Sequence, residues 1–284
     1  MLTVNIFDSE FDHSLEEDGF YTASMGVKPT LIEYVKNQPV WDGITLFTER
    51  HLHQAPLVNS KIKVAWLIES PGIHPWAVDV LNQYESYYDL ILTSQEDLLK
   101  RGPKYKKVTV GSCRIKPENR SPIQNKTKNC SLIASNKKQL EGHRLRHEVV
   151  STLSGFDVWG SGYKYFDEKE EALQDYRFSI CIMNVSTKNY FTEILTDCFF
   201  VGTIPIFWGC PNLDDYFNPE GIITFQTVEE LRDILPTLTK ELYDSKLDAV
   251  KDNYNKAQKY KSTDDLVASV LLKEYEDNYE LGSH

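Results

Sequence analysis

Residues 176–225 read YRFSICIMNVSTKNYFTEILTDCFFVGTIPIFWGCPNLDDYFNPEGIITF, and the punctuation of this stretch decides the fold. The apolar run 178–183 predicts a buried strand, and a polar loop, 184–190, leaves its carboxyl end. Phe191, Leu195, Cys198 and Phe199 recur at i, i+4, i+7 and i+8, which predicts a helix over 190–200. Gly202 stands where a helix C-terminal glycine belongs. Ile204–Trp208 and 222–225 follow as further strands. Strand, loop, helix and strand in so short a span is the repeating unit of a parallel α/β sheet.

The same rhythm extends outward. Upstream, 130–134 and 156–159 read as strands around a helix at 139–153. Further back, 2–6, 44–47, 64–68, 90–93 and 108–110 read as strands, and 31–36, 77–84 and 96–100 as helices. From Val228 onward the chain reads as helical, ending in a helix over 264–279. Between the two series lies KPENRSPIQNKTK, residues 116–128, with two prolines and no apolar period, the best linker candidate. The expectation is an α/β protein of two Rossmann-like lobes, 1–122 and 123–284, with a cleft between them. Ligands of such sheets bind beyond the carboxyl ends of the strands.

Composition narrows the function. The 284 residues carry 31 Lys and Arg against 42 Asp and Glu, a formal charge of −11, which excludes a nucleic-acid partner bound by phosphate neutralisation. At 41% hydrophobic and 12% aromatic the chain is globular and not disordered. The first twenty residues have no basic and apolar leader pattern, and no window reaches ~18 apolar residues. A cytoplasmic protein without a membrane span is expected. Cysteines 113, 130, 181, 198 and 210 form no CxxC pair, and in that compartment they are reduced thiols. No metal site is expected: Asp214-Asp215 lacks the Asp-x-Asp spacing, His51-Leu-His53 chelates only from a strand, and Asp8, Glu10, Asp12 and His13 read as a solvated loop. Signatures of P-loop, dinucleotide and serine-hydrolase sites are missing as well.

Three positions carry candidate chemistry. Glu193 lies at a helix start, either as a first-turn charge that favours the helix or as an acceptor for a ribose diol. Glu69 ends the apolar run of Trp66-Leu-Ile-Glu-Ser-Pro-Gly, either as a turn acid or as a rigidly held general base with His74 nearby. Arg146 precedes Val149, Val150 and Leu153 by three, four and seven residues, which puts it near the packed face of its helix. Its fork suits diphosphate oxygens. Arg144 points about 200° away, toward solvent.

These pieces together resemble glycosyltransferase family 10, the α1,3-fucosyltransferases. The family's Phe-x-Glu-Asn-Ser loop, Tyr-Val-Thr-Glu-Lys segment, Gly-Thr-(Val/Ile)-Pro strand and Pro-Asn turn are matched by Ile182-Met183-Asn184-Val185, Tyr190-Phe191-Thr192-Glu193-Ile194, Gly202-Thr203-Ile204-Pro205-Ile206-Phe207-Trp208-Gly209 and Pro211-Asn212. Glu69-Ser70-Pro71 is similar to its Glu-Ser-Pro-Ser motif, and Ala134-Ser135-Asn136 followed by Arg146 to its strand end and donor-binding arginine. The resemblance implies a GT-B fold with an acceptor-side lobe first and a nucleotide-sugar lobe second. It implies inverting, metal-independent transfer from GDP-fucose to a glycan hydroxyl, with the nucleotide sugar as substrate and no cofactor. By position, Glu69 is then the general base, Arg146 neutralises the leaving diphosphate, Glu193 holds the ribose, and Asn184 and Tyr190 line the donor site. Two positions depart from the family: its lysine is Ile194 here, and its loop glutamate is Met183. The lost cation removes a charge-assisted contact of roughly 1.5–3 kcal/mol, and Lys188 in the same loop is the expected replacement; the alternatives are transfer from a different nucleotide sugar, or a degenerate member that binds glycan or nucleotide without turnover.

Overall fold

The computed structural model describes residues 1–9, 14–15, 21–23 and 27–276. The chain forms two compact units, residues 1–110 with the segment from Ser262 onward, and residues 111–261.

In the first unit, β1 (Leu2–Phe7), β4 (Ile32–Lys36), β5 (Val40–Thr48), β6 (Asn59–Leu67), β7 (Leu90–Thr93) and β8 (Tyr105–Lys107) form one sheet in the order β4-β1-β5-β6-β7-β8. Every adjacent pair is parallel. Two short strands, β2 (Ser14–Leu15) and β3 (Tyr21–Thr22), pair antiparallel. Residues Val64, Ala65, Trp66 and Leu67 of β6 are all buried. Such unbroken apolar runs form central parallel strands, covered on both faces. A single 3-10 stretch, Glu49–Leu57, follows β5, and α1 (Ala77–Tyr84) and α2 (Glu96–Leu99) lie beyond β6 and β7. Leu52, Ala55, Ala77, Leu81 and Leu98 from these segments pack with Phe47 and Ile91 of the sheet in one core cluster.

In the second unit, β9 (Lys128–Ile133), β10 (Asp157–Trp159), β11 (Tyr176–Ile182), β12 (Ile204–Trp208) and β13 (Ile223–Thr224) pair in parallel in the order β10-β9-β11-β12-β13. Helices α3 (Glu141–Thr152), α4 (Glu193–Phe200), α5 (Val228–Ile234), α6 (Lys240–Ser245) and α7 (Leu247–Ala257) connect and follow the strands. Phe178, Ile180 and Ile182 of β11 pack with Ile204, Ile206, Val149 and Leu231. Within the unit the order is 2-1-3-4-5. The chain leaves β9 in one direction and β11 in the other, which creates a topological switch point between their carboxyl ends.

Several expectations are corrected. Residues 31–36 read as a helix but form edge strand β4, because Ile32 and Tyr34 alternate inward with a period of two. The strand expected at 108–110 lies earlier, at Tyr105–Lys107. The helix expected from Tyr190 begins at Glu193, where the Thr192 hydroxyl accepts the Ile194 N–H at 3.3 Å. The unit boundary also differs from 122/123. Residues 112–126 are tied into the second unit: Ser112 O accepts from Thr196 Oγ1, Arg114 N–H donates to Asp197, Lys116 N–H to Glu170, and buried Lys126 to Gln174 O, Val201 O and Thr203 Oγ1. The last helix, α8 (Thr263–Glu276), belongs to the first unit. Its buried Asp264 accepts from Thr22, the Ala23 N–H and Tyr34, and Asp265 accepts the N–H groups of Thr30 and Leu31. The rest of the helix expected to residue 279, and Glu10, Asp12 and His13, lie outside the described residues.

Gly202 has φ 65°, the left-handed conformation expected of a glycine closing a helix. All five cysteines are buried free thiols, with Sγ of Cys181 and Cys198 3.3 Å apart. Among the described residues, no helix is long and apolar enough to cross a membrane. Nor do three or more His, Cys, Asp or Glu side chains gather where they could hold a metal ion.

Candidate functional site

A cavity of about 530 Å³ lies in the second unit at the switch point. Ile133, Ala134 and Ser135 line it from the end of β9, and Cys181 and Asn184 from the end of β11. Its size suits a small-molecule ligand such as a nucleotide.

The wall nearest α3 depends on a close backbone approach. Gly142 donates its N–H to Asn184 O at 3.0 Å, and a Cβ at Gly142 would lie 1.7 Å from Met183 O. Only glycine lets the helix start rest directly on the strand end. One turn further on, Arg146 is buried, while Arg144 is exposed as its helical phase requires. Arg146 Nε donates to Ile182 O at 3.0 Å, and Nη2 donates to Ile182 O and, at 3.0 Å, to Asn184 Oδ1. Burial draws its pKa down to about 10, so it remains a cation at neutral pH. His143, on the same wall, is held below the ordinary histidine value by burial and by Arg146.

The start of α4 also lines the cavity, through Glu193 and Ile194. Burial works to raise the Glu193 carboxyl, yet Lys169 and Arg114 hold it below the usual value, so it is charged. Arg114 Nη2 lies 3.4 Å from Glu193 Oε1. Lys169 donates to Glu193 O at 3.2 Å and to the buried Asp197 at 2.6 Å. Against burial, the charges of Asp197 and Glu193 raise the pKa of Lys169. Arg114, Lys137, Arg146 and Lys169 thus line the cavity against Asp167, Glu168 and Glu193. Ile194 lines it too, an apolar side chain at the helix start.

Arg146, Asn184 and Glu193 are therefore brought together. Lys188 is not: it is exposed and outside the lining. Tyr190 is buried and also outside the lining. Asn212 of the Pro-Asn turn sets this loop's course, since its Oδ1 accepts the Asn189 N–H and its Nδ2 donates to Asn189 Oδ1, both at 2.9 Å. Asn189 itself has φ 61°. Glu69 belongs to the first unit, half-buried just past β6. Sequence reasoning missed Arg114 and Lys169. Lys169 sits in the run Asp167-Glu-Lys-Glu-Glu171, which reads as solvated charge, and only its pairing with Asp197 distinguishes it.

The family model for glycosyltransferase family 10 (fucosyltransferase), C-terminal part, matches residues 123–264, half of the chain. An α-(1,3)-fucosyltransferase, FucT, of Helicobacter pylori is 36% identical over 73 residues, 25% of this chain and 15% of that relative. The match therefore spans well under two thirds of the relative's length. A crystal structure of an α1,3-fucosyltransferase with GDP-fucose shares the fold at TM-score 0.58 and 16% identity, over 100% of this chain and 93% of that one. Anabaena Alr3699/HepE in complex with UDP-glucose shares it at TM-score 0.58 and 10% identity, over 86% of each chain. Two Rossmann-like units in one chain are the hallmark of the GT-B fold class, as the sequence led one to expect. With the motifs of residues 176–225 lying inside the matched segment, the chain belongs to glycosyltransferase family 10.

Proposed function

We propose that this chain is an inverting glycosyltransferase that moves a sugar, fucose from GDP-fucose, to a hydroxyl of a glycan acceptor. The observation that carries the reading is the Arg146 fork beside Asn184 in a cation-lined cavity at the switch point. A nucleoside diphosphate brings two or more negative charges to such a cavity, and Arg146, Arg114 and Lys169 answer them. Glu193 accepts from the ribose hydroxyls. Glu69, from the first unit, takes the proton of the acceptor hydroxyl as its oxygen attacks the anomeric carbon. The bond from that carbon to the diphosphate breaks, and Arg146 stabilises the charge on the departing oxygen. One displacement inverts the anomeric centre. No step calls on a metal or a cofactor. Lys188 stays out of this scheme, with Arg114 and Lys169 supplying the charge that a lysine at position 194 supplies in the family.

The test is a panel of nucleotide sugars incubated with glycan acceptors and followed by nucleoside diphosphate release and product NMR. Turnover with GDP-fucose and an inverted anomer supports the proposal. Turnover only with a UDP-sugar corrects the donor, and donor binding without release overturns the enzymatic reading. Glu69→Gln should abolish transfer and leave GDP affinity within about twofold. Strong residual transfer removes Glu69 from the role of base.

A further inference from the structure

The carboxyl ends of β5 and β6 in the first unit hold an acid that the proposed mechanism does not use. Thr48, the last residue of β5, pairs with Trp66 of β6. One residue on, β5 gives way to the 3-10 stretch Glu49–Leu57, so the main-chain ladder stops just before the segment that carries Glu69. The Glu49 side chain reaches across the gap. Its Oε1 accepts the N–H of Ile68 at 2.5 Å and the N–H of Glu69 at 2.7 Å. Glu49 is fully buried, and its Oε2 has no hydrogen-bond partner among the described residues. On the other side, Gln95 Nε2 donates to Glu69 O at 3.4 Å. Beyond Glu69 the chain turns, with Ser70 O accepting the N–H groups of Ile73 and His74.

From this geometry we infer that Glu49 is a positioning residue for Glu69: its side chain replaces the missing strand partner and fixes the backbone from which the base projects. A buried carboxyl is a costly way to satisfy two amides, since burying a polar group without full hydrogen bonding is unfavourable. Burial pushes the Glu49 carboxyl up to about 8. The neutral acid keeps a carbonyl oxygen toward the two amides, so glutamine is its close mimic. The inference rests on the reading of Glu69 as the base, and it adds a residue that neither family motif nor spacing marks.

The experiment uses the full chain with Glu49→Ala, Glu49→Gln and Glu49→Asp. Amide hydrogen exchange at Ile68 and Glu69, GDP affinity by calorimetry and kcat for transfer are measured together. The expected result for Glu49→Ala is faster exchange at both amides, a kcat lowered about 30-fold or more, and a GDP Kd within twofold of wild type. Glu49→Gln should keep the protection and a kcat within about fivefold. If Glu49→Ala fails to fold, the comparison passes to Glu49→Asp, whose shorter side chain cannot reach both amides, and kcat should fall below that of Glu49→Gln. Unchanged exchange or unchanged kcat in Glu49→Ala overturns the inference, as does a glutamine variant no better than aspartate or alanine. Wild-type protein inactive with every donor, or Glu69→Gln fully active, instead overturns the reading of Glu69, and the role of Glu49 falls with it.

Discussion

Arg146 of α3 donates from Nη2 to Asn184 Oδ1, 3.0 Å away in the loop that leaves β11, while its Nε holds Ile182 O. One guanidinium thus ties a helix to the carboxyl end of a strand on the wall of the cavity. The planar fork makes both bonds at once, and a lysine ammonium on a flexible stem does not reproduce them. Arg146→Lys is expected to weaken GDP binding at least tenfold by titration calorimetry. Arg146→Ala additionally strands the buried Ile182 carbonyl, at a cost of about 1–3 kcal/mol in urea denaturation.

Arg114 and Lys188 separate two accounts of the cation missing at Ile194. Arg114 pairs with Glu193 on the cavity wall, whereas Lys188 is exposed and outside the lining. Arg114→Ala should raise the GDP Kd several-fold, and Lys188→Ala should leave it within twofold. A large loss for Lys188→Ala in the same titration would return the role to the loop lysine.

Gly142→Ala tests the close approach of α3 to the strand end. The added Cβ would meet Met183 O at 1.7 Å, and backbone on both sides must move. A loss of about 2–4 kcal/mol in chemical denaturation is expected, with weaker GDP binding because Arg146 moves with the helix. A variant as stable as wild type would show that α3 can shift freely.

The buried Glu49 predicts a pH dependence of stability. Its folded pKa of about 8, set chiefly by burial, lies above the ordinary glutamate value of about 4.3. Below that ordinary value both states hold the proton and the contribution is complete. Between the two values only the folded state holds it, so stability falls as pH rises, and the contribution is gone above about 8. The slope is at most about 1.4 kcal/mol per pH unit. Denaturation of Glu49→Gln across that window should show the shallower slope. Parallel curves for variant and wild type would refute the shift.

Much of the second unit was legible in the sequence because its signals are local. The helical phase of Arg144 and Arg146 separates an exposed from a buried arginine, and Gly202 marks the end of α4 by its conformation alone. Residues 31–36 misled because a short apolar segment carries both periods weakly, and pairing with β1 made it a strand. The terminal helix misled because its two aspartates bind backbone more than 230 residues away in sequence, which no local pattern records.

By itself the sequence determined two series of parallel strands, a motif set that places the chain in its family, and an arginine, an asparagine and a glutamate that line one cavity. Those follow from periodicity and residue order, which act over a few turns of chain. Tertiary structure alone decided that Lys169 and Arg114 flank Glu193, that Lys188 is exposed outside the cavity lining, and that Glu49 accepts the amides of Ile68 and Glu69. Each of these depends on which strand ends and helix starts become neighbours. Charged side chains gain partners or lose water only when the fold brings distant segments together.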